Sequence, residues 1–434
     1  MKLFVFIVII ATLCPITTSL RRNEGLGTLR MGNRMSPMKW ISAFSAICFS
    51  VPTFTPSIVA PVFADNRLNA PTAVGTRVNS DPESLLRDGL PMNNKQLRDL
   101  QANVEAIKFD LKLRRENFVQ SDISTVKGIL QNQAQQILSA IPESRRGEAT
   151  KLIAQLKEQT KDLESVTGVG RGTGKGSIQE RESLDQGFIL QDNLAKTVGA
   201  LEELAVSEKF QRFIPEEYQS LPRLNKRATV EMKIRREDGS KFDVFGKLFD
   251  EVDLKMVVDG YNSPITAGNF VDLVNKGFYN DKKITRSDGF VVQTGDADPA
   301  GKVHGYVPPG AKEERKIPLE IALKGDENLL FGATSEEDGR GASATVLPFQ
   351  AYGALGMARS EYDADSASSQ FFWLLFESDL TPAGKNLLDG RYACFGYTVD
   401  GADLLRAVKE GDVIKEAKVI EGLENLKQPN YAQN

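Results

Sequence analysis

An arginine and a glutamine stand at the two ends of a short apolar run in TRSDGFVVQTGD, residues 285–296. Ser287–Gly289 predicts a turn, and the apolar residues after it predict a strand. Side chains alternate across a strand, so Val291 and Gln293 share one face. With Arg286 before the turn, three interpretations fit these residues. They are a catalytic groove, a binding groove without catalysis, and a turn followed by a core strand.

The segment SSQFFWLL repeats this combination of polar and apolar side chains. Gln370 and Phe372 are two residues apart and therefore lie on one face of a predicted strand. Such a pair is unusual in a plain core and natural in a groove, although a lone glutamine can also be a satisfied polar group inside a barrel.

Residue types that other chemistries need are scarce. The chain has one histidine, His304, in the insertion ADPAGKVHGYVPPG, and three cysteines, of which Cys14 and Cys48 lie among the first 64 residues. Cys394 alone cannot form an internal disulfide, and the residues for zinc clusters and serine–histidine catalysis are missing. We therefore expect no metal and no cofactor.

The first 64 residues have the character of targeting signals. Residues 1–19 are typical of a secretory signal peptide, and residues 20–64 add a basic stretch and a second apolar segment with a cleavage site predicted after Ala64. A signal peptide followed by a membrane anchor is the alternative, but three prolines interrupt the second segment. The whole arrangement resembles the leaders of algae with complex plastids, which deliver proteins to the thylakoid lumen.

Composition limits the classes of partner. Of 434 residues, 41% are hydrophobic, enough for at least one sizeable core. The first 64 residues hold six of the 54 basic residues and one of the 58 acidic ones, so the remainder is more acidic than the formal net charge of −4 suggests. An acidic body argues against nucleic acid and anionic membrane surfaces as main partners.

The first half of the mature chain predicts helices, because apolar residues recur at spacings of three and four. The predicted helices cover residues 97–111, 123–141, 149–163 and 177–201. One apolar face each favours an antiparallel four-helix bundle. The glycine-rich segment 168–176 is interpreted as a flexible connector rather than a phosphate loop, because Lys175 is followed by glycine and no strand precedes it.

The second half predicts mostly strands. Seven alternating or apolar runs, separated by glycine-rich turns, are interrupted by the helical stretches TAGNFVDLVNKG and GADLLRAVKEG. This pattern fits a closed β-barrel with a helix near each end. The predicted boundaries are 65–90 for an extension, 91–212 for the bundle, 213–227 for a linker, 228–428 for the barrel and 429–434 for a tail.

Several motifs of this second half occur in the order and spacing of the cyclophilins. They are SPITAGNFVDLVNKGFYNDKKITR, DGFVVQTGD, GMAR, SSQFFWLL and LLDGRYACFGYTVDG. The chain resembles this family over residues 228–428. The resemblance implies a closed eight-stranded barrel and peptidyl-prolyl cis-trans isomerase activity.

One subgroup matches more of the chain. The form RSDGFVVQTGD, joined to a helical bundle and a lumenal leader, is similar to the large thylakoid-lumen cyclophilins of plants and algae, and the bundle resembles the PsbQ-type subunit of photosystem II. The resemblance implies assistance to photosystem II assembly, with proline-containing segments of its subunits as partners. The mature chain is expected not to span the membrane, and association with a membrane is left open.

The resemblance also assigns site residues by position. Arg286 matches the family's catalytic arginine, and Gln293 matches a glutamine that orients it. The implied peptide-binding residues are Phe290, Val291, Gln370, Phe372, Leu387, Ala358, Arg359 and Tyr392.

This sequence departs from the family at several of these positions. Three residues separate Arg286 from Phe290, where typical active cyclophilins have four. Leu387 stands for the pocket tryptophan and Arg359 for an asparagine. Two hypotheses therefore remain. One is an isomerase with activity weakened or lost through the short turn, and the other is a non-catalytic chaperone or peptide-binding scaffold whose bundle docks to a partner or covers the groove.

Overall fold

A computed structural model describes residues 78–167, 178–376 and 386–428. The targeting signals, the connector 168–176 and the tail 429–434 lie outside these described residues. Residues 65–434 belong to one compact unit. The helices are α1 (Pro82–Asp88), α2 (Lys95–Lys112), α3 (Glu116–Asn132), α4 (Ala134–Ser139), α5 (Arg146–Thr167), α6 (Ile178–Ala205) and α7 (Pro264–Asn275).

Three of the four predicted helices correspond to single helices, namely α2, α5 and α6. The second does not, because the chain is already helical at Glu116 and leaves the helical conformation at Gln133, where φ is −117°. The break redirects the chain so that Ile137 and Ile141 are both buried. The seven residues of α1 were not predicted, because they are too few to show a periodic stripe.

The long helices α2, α3, α5 and α6 pack on one apolar core. The predicted stripe of α2 is fully or almost fully buried there, together with residues such as Ile123 on α3, Leu156 on α5 and Leu194 on α6. Burial of one face of each helix is what holds this helical region together.

The C-terminal region is built on antiparallel strands. They are β1 (Arg223–Leu224), β2 (Arg227–Arg235), β3 (Phe242–Val244), β4 (Lys247–Phe249), β5 (Val252–Asp259), β6 (Arg286–Ser287), β7 (Val291–Thr294), β8 (Glu320–Ile321), β9 (Leu330–Phe331), β10 (Ala354–Met357), β11 (Phe371–Leu374), β12 (Cys394–Asp400), β13 (Val413–Glu421) and β14 (Leu426–Lys427).

Eight of these strands form one curled sheet in the order β13-β2-β5-β12-β10-β11-β7-β6. Helix α7 packs against this sheet, and its Phe270 meets the rings of Phe371 and Phe395 at centroid distances of 5.0 and 5.2 Å. Trp373 is fully buried in the same core.

The prediction of a closed barrel is wrong, because the sheet is a curled half-barrel. Its end strands β13 and β6 are not paired as strands. Among the described residues, an isolated bridge between Lys283 and Val413, with flanking backbone hydrogen bonds, is what spans the gap. This bridge lies just before β6, which itself has two residues. The second helical stretch forms a short 3₁₀ helix, Ala402–Ala407, instead of an α-helix.

Helix α1 joins the helical region to the sheet. Its Leu85 and Leu86 belong to the same apolar cluster as Leu347 and Tyr397. Arg227, on β2, donates a hydrogen bond to the carbonyl of Leu86. The helical region and the sheet therefore share buried surface.

Crossing a membrane and binding a metal ion each require particular features of the chain. Within residues 78–167, 178–376 and 386–428, no helix is both long and apolar enough to cross a membrane. The same stretches contain no cluster of three or more His, Cys, Asp or Glu side chains suited to a metal ion.

Candidate functional site

The register of the sheet places three predicted site residues in one row. Arg286 on β6 lies opposite Gln293 on β7, and Gln293 lies opposite Phe372 on β11. Residues directly opposite one another on adjacent strands point to the same face. A cation, an amide and an aromatic ring therefore line one face of the sheet side by side.

The two predicted glutamines contact each other. Gln293 donates a hydrogen bond from Nε2 to Oε1 of Gln370 at 2.9 Å. The carbonyl of Gln370 accepts a hydrogen bond from the backbone of Ala358 at 3.0 Å, which fixes Ala358 beside them. The amide pair and Ala358 are therefore neighbours in the middle of the candidate groove.

Arg286 is held by a residue that the sequence interpretation treated only as part of the turn. Its Nε donates to Oδ2 of Asp288 at 2.6 Å, and its Nη2 forms an ion pair with the same carboxylate. The two side chains are 55% and 36% exposed, respectively. Arg286 therefore stands at the open rim of the groove.

The carboxylate of Asp288 is ionised in this setting. Burial raises its pKa, but hydrogen bonds from the backbone of Val291 and Phe290 and the nearby Arg286 lower it more, so the pKa lies below its usual value. The charge of Arg286 is thus balanced within the turn over the ordinary pH range.

Phe372 forms the apolar floor. Its ring stacks on Phe349 at 5.9 Å with an interplanar angle of 15°, and the edge of Tyr392 approaches it, also at 5.9 Å. The ring occupies the space above Gly356, where a Cβ atom would come within 2.1 Å of it. Val291 is buried in the same cluster. Glycine at position 356 is therefore what admits the ring.

Phe290 and Leu387 differ from this floor because their side chains are 61% and 81% exposed. Phe290 stacks on Phe376 with ring centroids 6.3 Å apart. The structure does not bring Leu387 into the apolar cluster, and its neighbour Leu388 packs there instead. The groove consequently has exposed apolar groups at its rim.

Arg359 is close to the groove, but its donors are occupied. Nε and Nη2 donate to the carbonyl of Arg391 at 3.0 and 2.8 Å, and Nη1 donates to the carbonyls of Ser360 and Glu361. Its guanidinium also lies 5.1 Å from the ring of Tyr392. In this arrangement Arg359 links two loops of the groove wall.

Sequence interpretation missed Asp288, Phe349, Phe376 and Leu388. Leu388 follows Leu387 in a double leucine, and either could have been the pocket residue. Phe376 follows the strand motif that contained Gln370 and could have been found there as an additional aromatic residue. Phe349 comes from a separate loop, and no local pattern marks it.

Two other reactive side chains show no sign of activation, although Cys394 packs in the same apolar cluster as Phe372. The thiol of Cys394 is buried, and burial raises its pKa well above the usual value. His304 lies in the long insertion with Nδ1 2.9 Å from Oδ2 of Asp296. The arrangement offers hydrogen-bond donors beside an apolar floor, which suits binding and polarisation of a peptide rather than nucleophilic attack.

Two family models match separate parts of the chain. Residues 247–425 match the model described as cyclophilin type peptidyl-prolyl cis-trans isomerase. Residues 81–206 match the PsbQ-like domain of peptidyl-prolyl cis-trans isomerases like CYP38.

Similar proteins match across both parts. The Arabidopsis thaliana protein "Peptidyl-prolyl cis-trans isomerase CYP38, chloroplastic" is 40% identical over 81% of this chain and 76% of its own length. The chain belongs to the cyclophilin-type peptidyl-prolyl cis-trans isomerases. A Synechocystis protein called "Putative thylakoid lumen peptidyl-prolyl cis-trans isomerase sll0408" is 38% identical over 84% of this chain and 89% of its length. Arabidopsis CYP37, also chloroplastic, is 32% identical over 83% and 73%.

Proposed function

We propose that this cyclophilin acts in the thylakoid lumen of a plastid, where it isomerises X-Pro bonds in photosystem II subunits and so assists their folding and assembly. The single observation that carries the catalytic part is the row of Arg286, Gln293 and Phe372 across three adjacent strands. This row sets a guanidinium beside an apolar floor on one open face.

The chemistry of the reaction explains why such a row suffices. Rotation about a peptide bond faces a barrier of about 18–20 kcal/mol because the nitrogen shares its lone pair with the carbonyl. In the twisted transition state the lone pair returns to nitrogen, and no covalent bond breaks. A donor placed beside that nitrogen stabilises the twisted state more than the planar one, which accelerates rotation.

Each side chain takes one part of this task in the proposal. Arg286 donates to the prolyl nitrogen, and the Gln293–Gln370 pair binds the peptide backbone. Phe372, with Val291 beside it, holds the proline ring, while Phe290 and Leu387 contact the residues around it. Ala358 lines the opposite wall, which Arg359 and Tyr392 keep in place.

The location and client are inferred from sequence. Two relatives are named as chloroplastic and one as a thylakoid-lumen protein, and the leader has the features of signals that lead there through a complex plastid. The PsbQ-like match supports photosystem II as the site of action, and the helical region in this proposal is an antiparallel four-helix bundle.

An alternative function is a peptide-binding chaperone without catalysis. The exposed Phe290, whose ring stacks on the half-buried Phe376, and the exposed Leu387 favour it, because exposed apolar groups can hold an unfolded segment regardless of bond rotation. In this alternative the helical region docks to the partner or covers the groove.

An NMR experiment separates the two. A short proline peptide is added to the full chain, and cis-trans exchange of the peptide is measured beside the protein's own signals. We expect faster exchange together with shifts at residues 286–293 and 370–372. Shifts without faster exchange favour the chaperone. Equal shifts from a peptide with alanine in place of proline would contradict a proline groove.

The client is tested by crosslinking in lumenal extract. Phe290→Asp should reduce capture of photosystem II subunits if they bind the groove. Phe118→Asp is the matched control, since Phe118 is an equally exposed ring, 57%, on the helical region. Loss of capture with Phe118→Asp alone would assign docking to the helices. No capture of these subunits by the wild type would contradict the proposed client.

A further inference from the structure

The turn that precedes the groove contains a carboxylate with contacts on two sides. Oδ1 of Asp288 accepts hydrogen bonds from the backbone N–H groups of Phe290 at 3.0 Å and Val291 at 3.1 Å. Oδ2 accepts from Nε of Arg286 at 2.6 Å and also contacts Nη2. One side chain therefore connects the cationic and apolar halves of the groove.

Gln293, which the family resemblance assigns to orienting the arginine, makes a different contact here. It lies directly opposite Arg286 in the sheet, yet its amide donates to Gln370. No described residue accepts a hydrogen bond from Nη1 of Arg286, and Asp288 provides the polar contacts of its guanidinium.

We propose that Asp288 is a positioning residue for Arg286, and that in the three-residue turn it replaces Gln293 as the group that aims the guanidinium at the substrate. This inference rests on the proposed catalytic function of Arg286. Neither the composition nor the motifs of the sequence indicated that Asp288 contacts Arg286.

The reason is conformational. An arginine side chain at an exposed strand end rotates about several bonds and loses that freedom when it must hold one geometry. The carboxylate of Asp288 cannot follow these rotations, because two backbone N–H groups fix it. It therefore holds Nε and Nη2 in one place and leaves Nη1 to donate to a prolyl nitrogen.

The turn itself explains why a carboxylate is needed at this position. Gly289 has a φ of 84°, a left-handed conformation that reverses the chain directly after Asp288. This brings the N–H groups of Phe290 and Val291 back toward the side chain. A turn that lacked this return would leave the carboxylate free to move with Arg286.

The variant Asp288→Asn tests this while leaving the turn intact. The asparagine carbonyl oxygen can still accept from Phe290 and Val291, but its NH₂ group faces the guanidinium and cannot accept from it. We expect kcat/KM for a proline peptide to fall by about tenfold, mainly through kcat, because misplacement of a donor by a fraction of an ångström weakens a transition-state contact.

Two comparisons separate positioning from a structural role. In an Arg286→Ala background, Asp288→Asn should have no further effect on kcat/KM. Asp243→Asn is the control, since Asp243 caps another hairpin turn by accepting from Gly246 at 2.8 Å away from the groove. It should leave kcat/KM unchanged. A wild-type or increased kcat/KM in Asp288→Asn, or equal losses with and without Arg286, would overturn the inference.

If the wild type does not accelerate cis-trans exchange of the peptide, the proposed function fails. The positioning role of Asp288 can still be tested by NMR without turnover. The Nε–H signal of Arg286 in the full chain should be sharp and protected from exchange with water, and Asp288→Asn should remove that protection. Equal signals in both proteins would overturn the positioning role by itself.

Discussion

Two arginine–aspartate pairs in this protein differ in burial and in what surrounds them. Arg227 and Asp259 pair at 2.8 Å with side chains 13% and 0% exposed, whereas Arg286 and Asp288 pair at the open rim of the groove. Arg227 also contacts Glu203 on α6 at 3.1 Å and the carbonyl of Leu86 on α1. The first pair joins the helical region to the sheet, and the second leaves its arginine accessible.

The difference shows how the same chemistry serves stability in one place and a reaction in another. Removing one partner of a buried pair leaves an uncompensated charge and costs about 3–5 kcal/mol. An exposed pair contributes only about 0–1 kcal/mol to stability, and its arginine stays accessible to a substrate. Burial, rather than residue type, assigns the two roles.

The largest expected effect is on stability. Arg227→Met leaves Asp259 buried without its cation, and we expect the free energy of unfolding to fall by about 3–5 kcal/mol, measured by urea denaturation. Arg223→Met is the control, because no described carboxylate pairs with Arg223. A loss below about 1 kcal/mol for Arg227→Met would remove the contrast between the two pairs.

The next largest effect is expected when the apolar floor formed by Phe372 is disturbed. Gly356→Ala places a methyl group where the Phe372 ring lies, and we expect about 1–3 kcal/mol of destabilisation together with weaker binding of a proline peptide. Calorimetric unfolding and peptide titration measure the two effects. The control is Gly128→Ala on α3, which meets open space and should raise stability. Unchanged peptide binding in Gly356→Ala would show that Phe372 is not part of the groove.

The next effect concerns Glu202, a buried acid that should make the stability of the protein depend on pH. Glu202 on α6 is fully buried, and its carboxylate oxygens have no hydrogen-bond partner among the residues that the structure describes, although Nη1 of Arg98 lies 3.6 Å away. Burial raises its pKa from 4.5 to about 8, opposed by Arg98 and Arg87 and reinforced by Glu105 and Asp88. The folded chain therefore holds a proton that the unfolded chain releases between these values.

The stability of the folded protein should therefore decrease as the pH rises. The stabilising contribution of protonated Glu202 is complete below pH 4.5 and is lost as pH rises through about 8. We expect Glu202→Gln to flatten this decline, so that its urea midpoint exceeds that of the wild type increasingly from pH 5 to 8. The exposed Glu158→Gln should follow the wild type at every pH. Parallel profiles for Glu202→Gln and wild type would contradict the raised pKa.

The smallest effect is expected at the rim. Asp288→Asn should change the free energy of unfolding by less than about 1 kcal/mol, even though it lowers kcat/KM. Urea denaturation of the variant used in the kinetic test provides this measurement. A loss as large as that of Arg227→Met would mean that the rim pair is structural, and the two pairs would no longer differ in role.

The sequence predicted repeating patterns better than contacts between distant segments. The stripe in α2 and the strand alternation around Val291 and Gln293 are local, and both elements are present. The closed barrel was wrong because closure depends on whether β6 can extend to meet β13, which a pattern along one strand does not reveal. Helix α1 was missed because its stability depends on packing against the sheet.

The candidate site shows the same limit. Motif positions brought Arg286, Gln293, Gln370 and Phe372 together. The register places Arg286, Gln293 and Phe372 on neighbouring strands, and Gln370 directly precedes β11. Motif positions could not show that the donors of Arg359 are occupied by carbonyls. They also could not show which of two adjacent leucines packs against the apolar cluster. These properties depend on loops that meet only after folding.

The most direct test of the central claim is the isomerisation rate of a proline peptide with wild type and Arg286→Ala. We expect the wild type to exceed the uncatalysed rate and Arg286→Ala to lose about 100–1,000-fold in kcat, the cost of removing one transition-state donor. Circular dichroism should show that both proteins are equally folded. If a folded Arg286→Ala protein isomerises the peptide as fast as the wild type, Arg286 is not the catalytic donor.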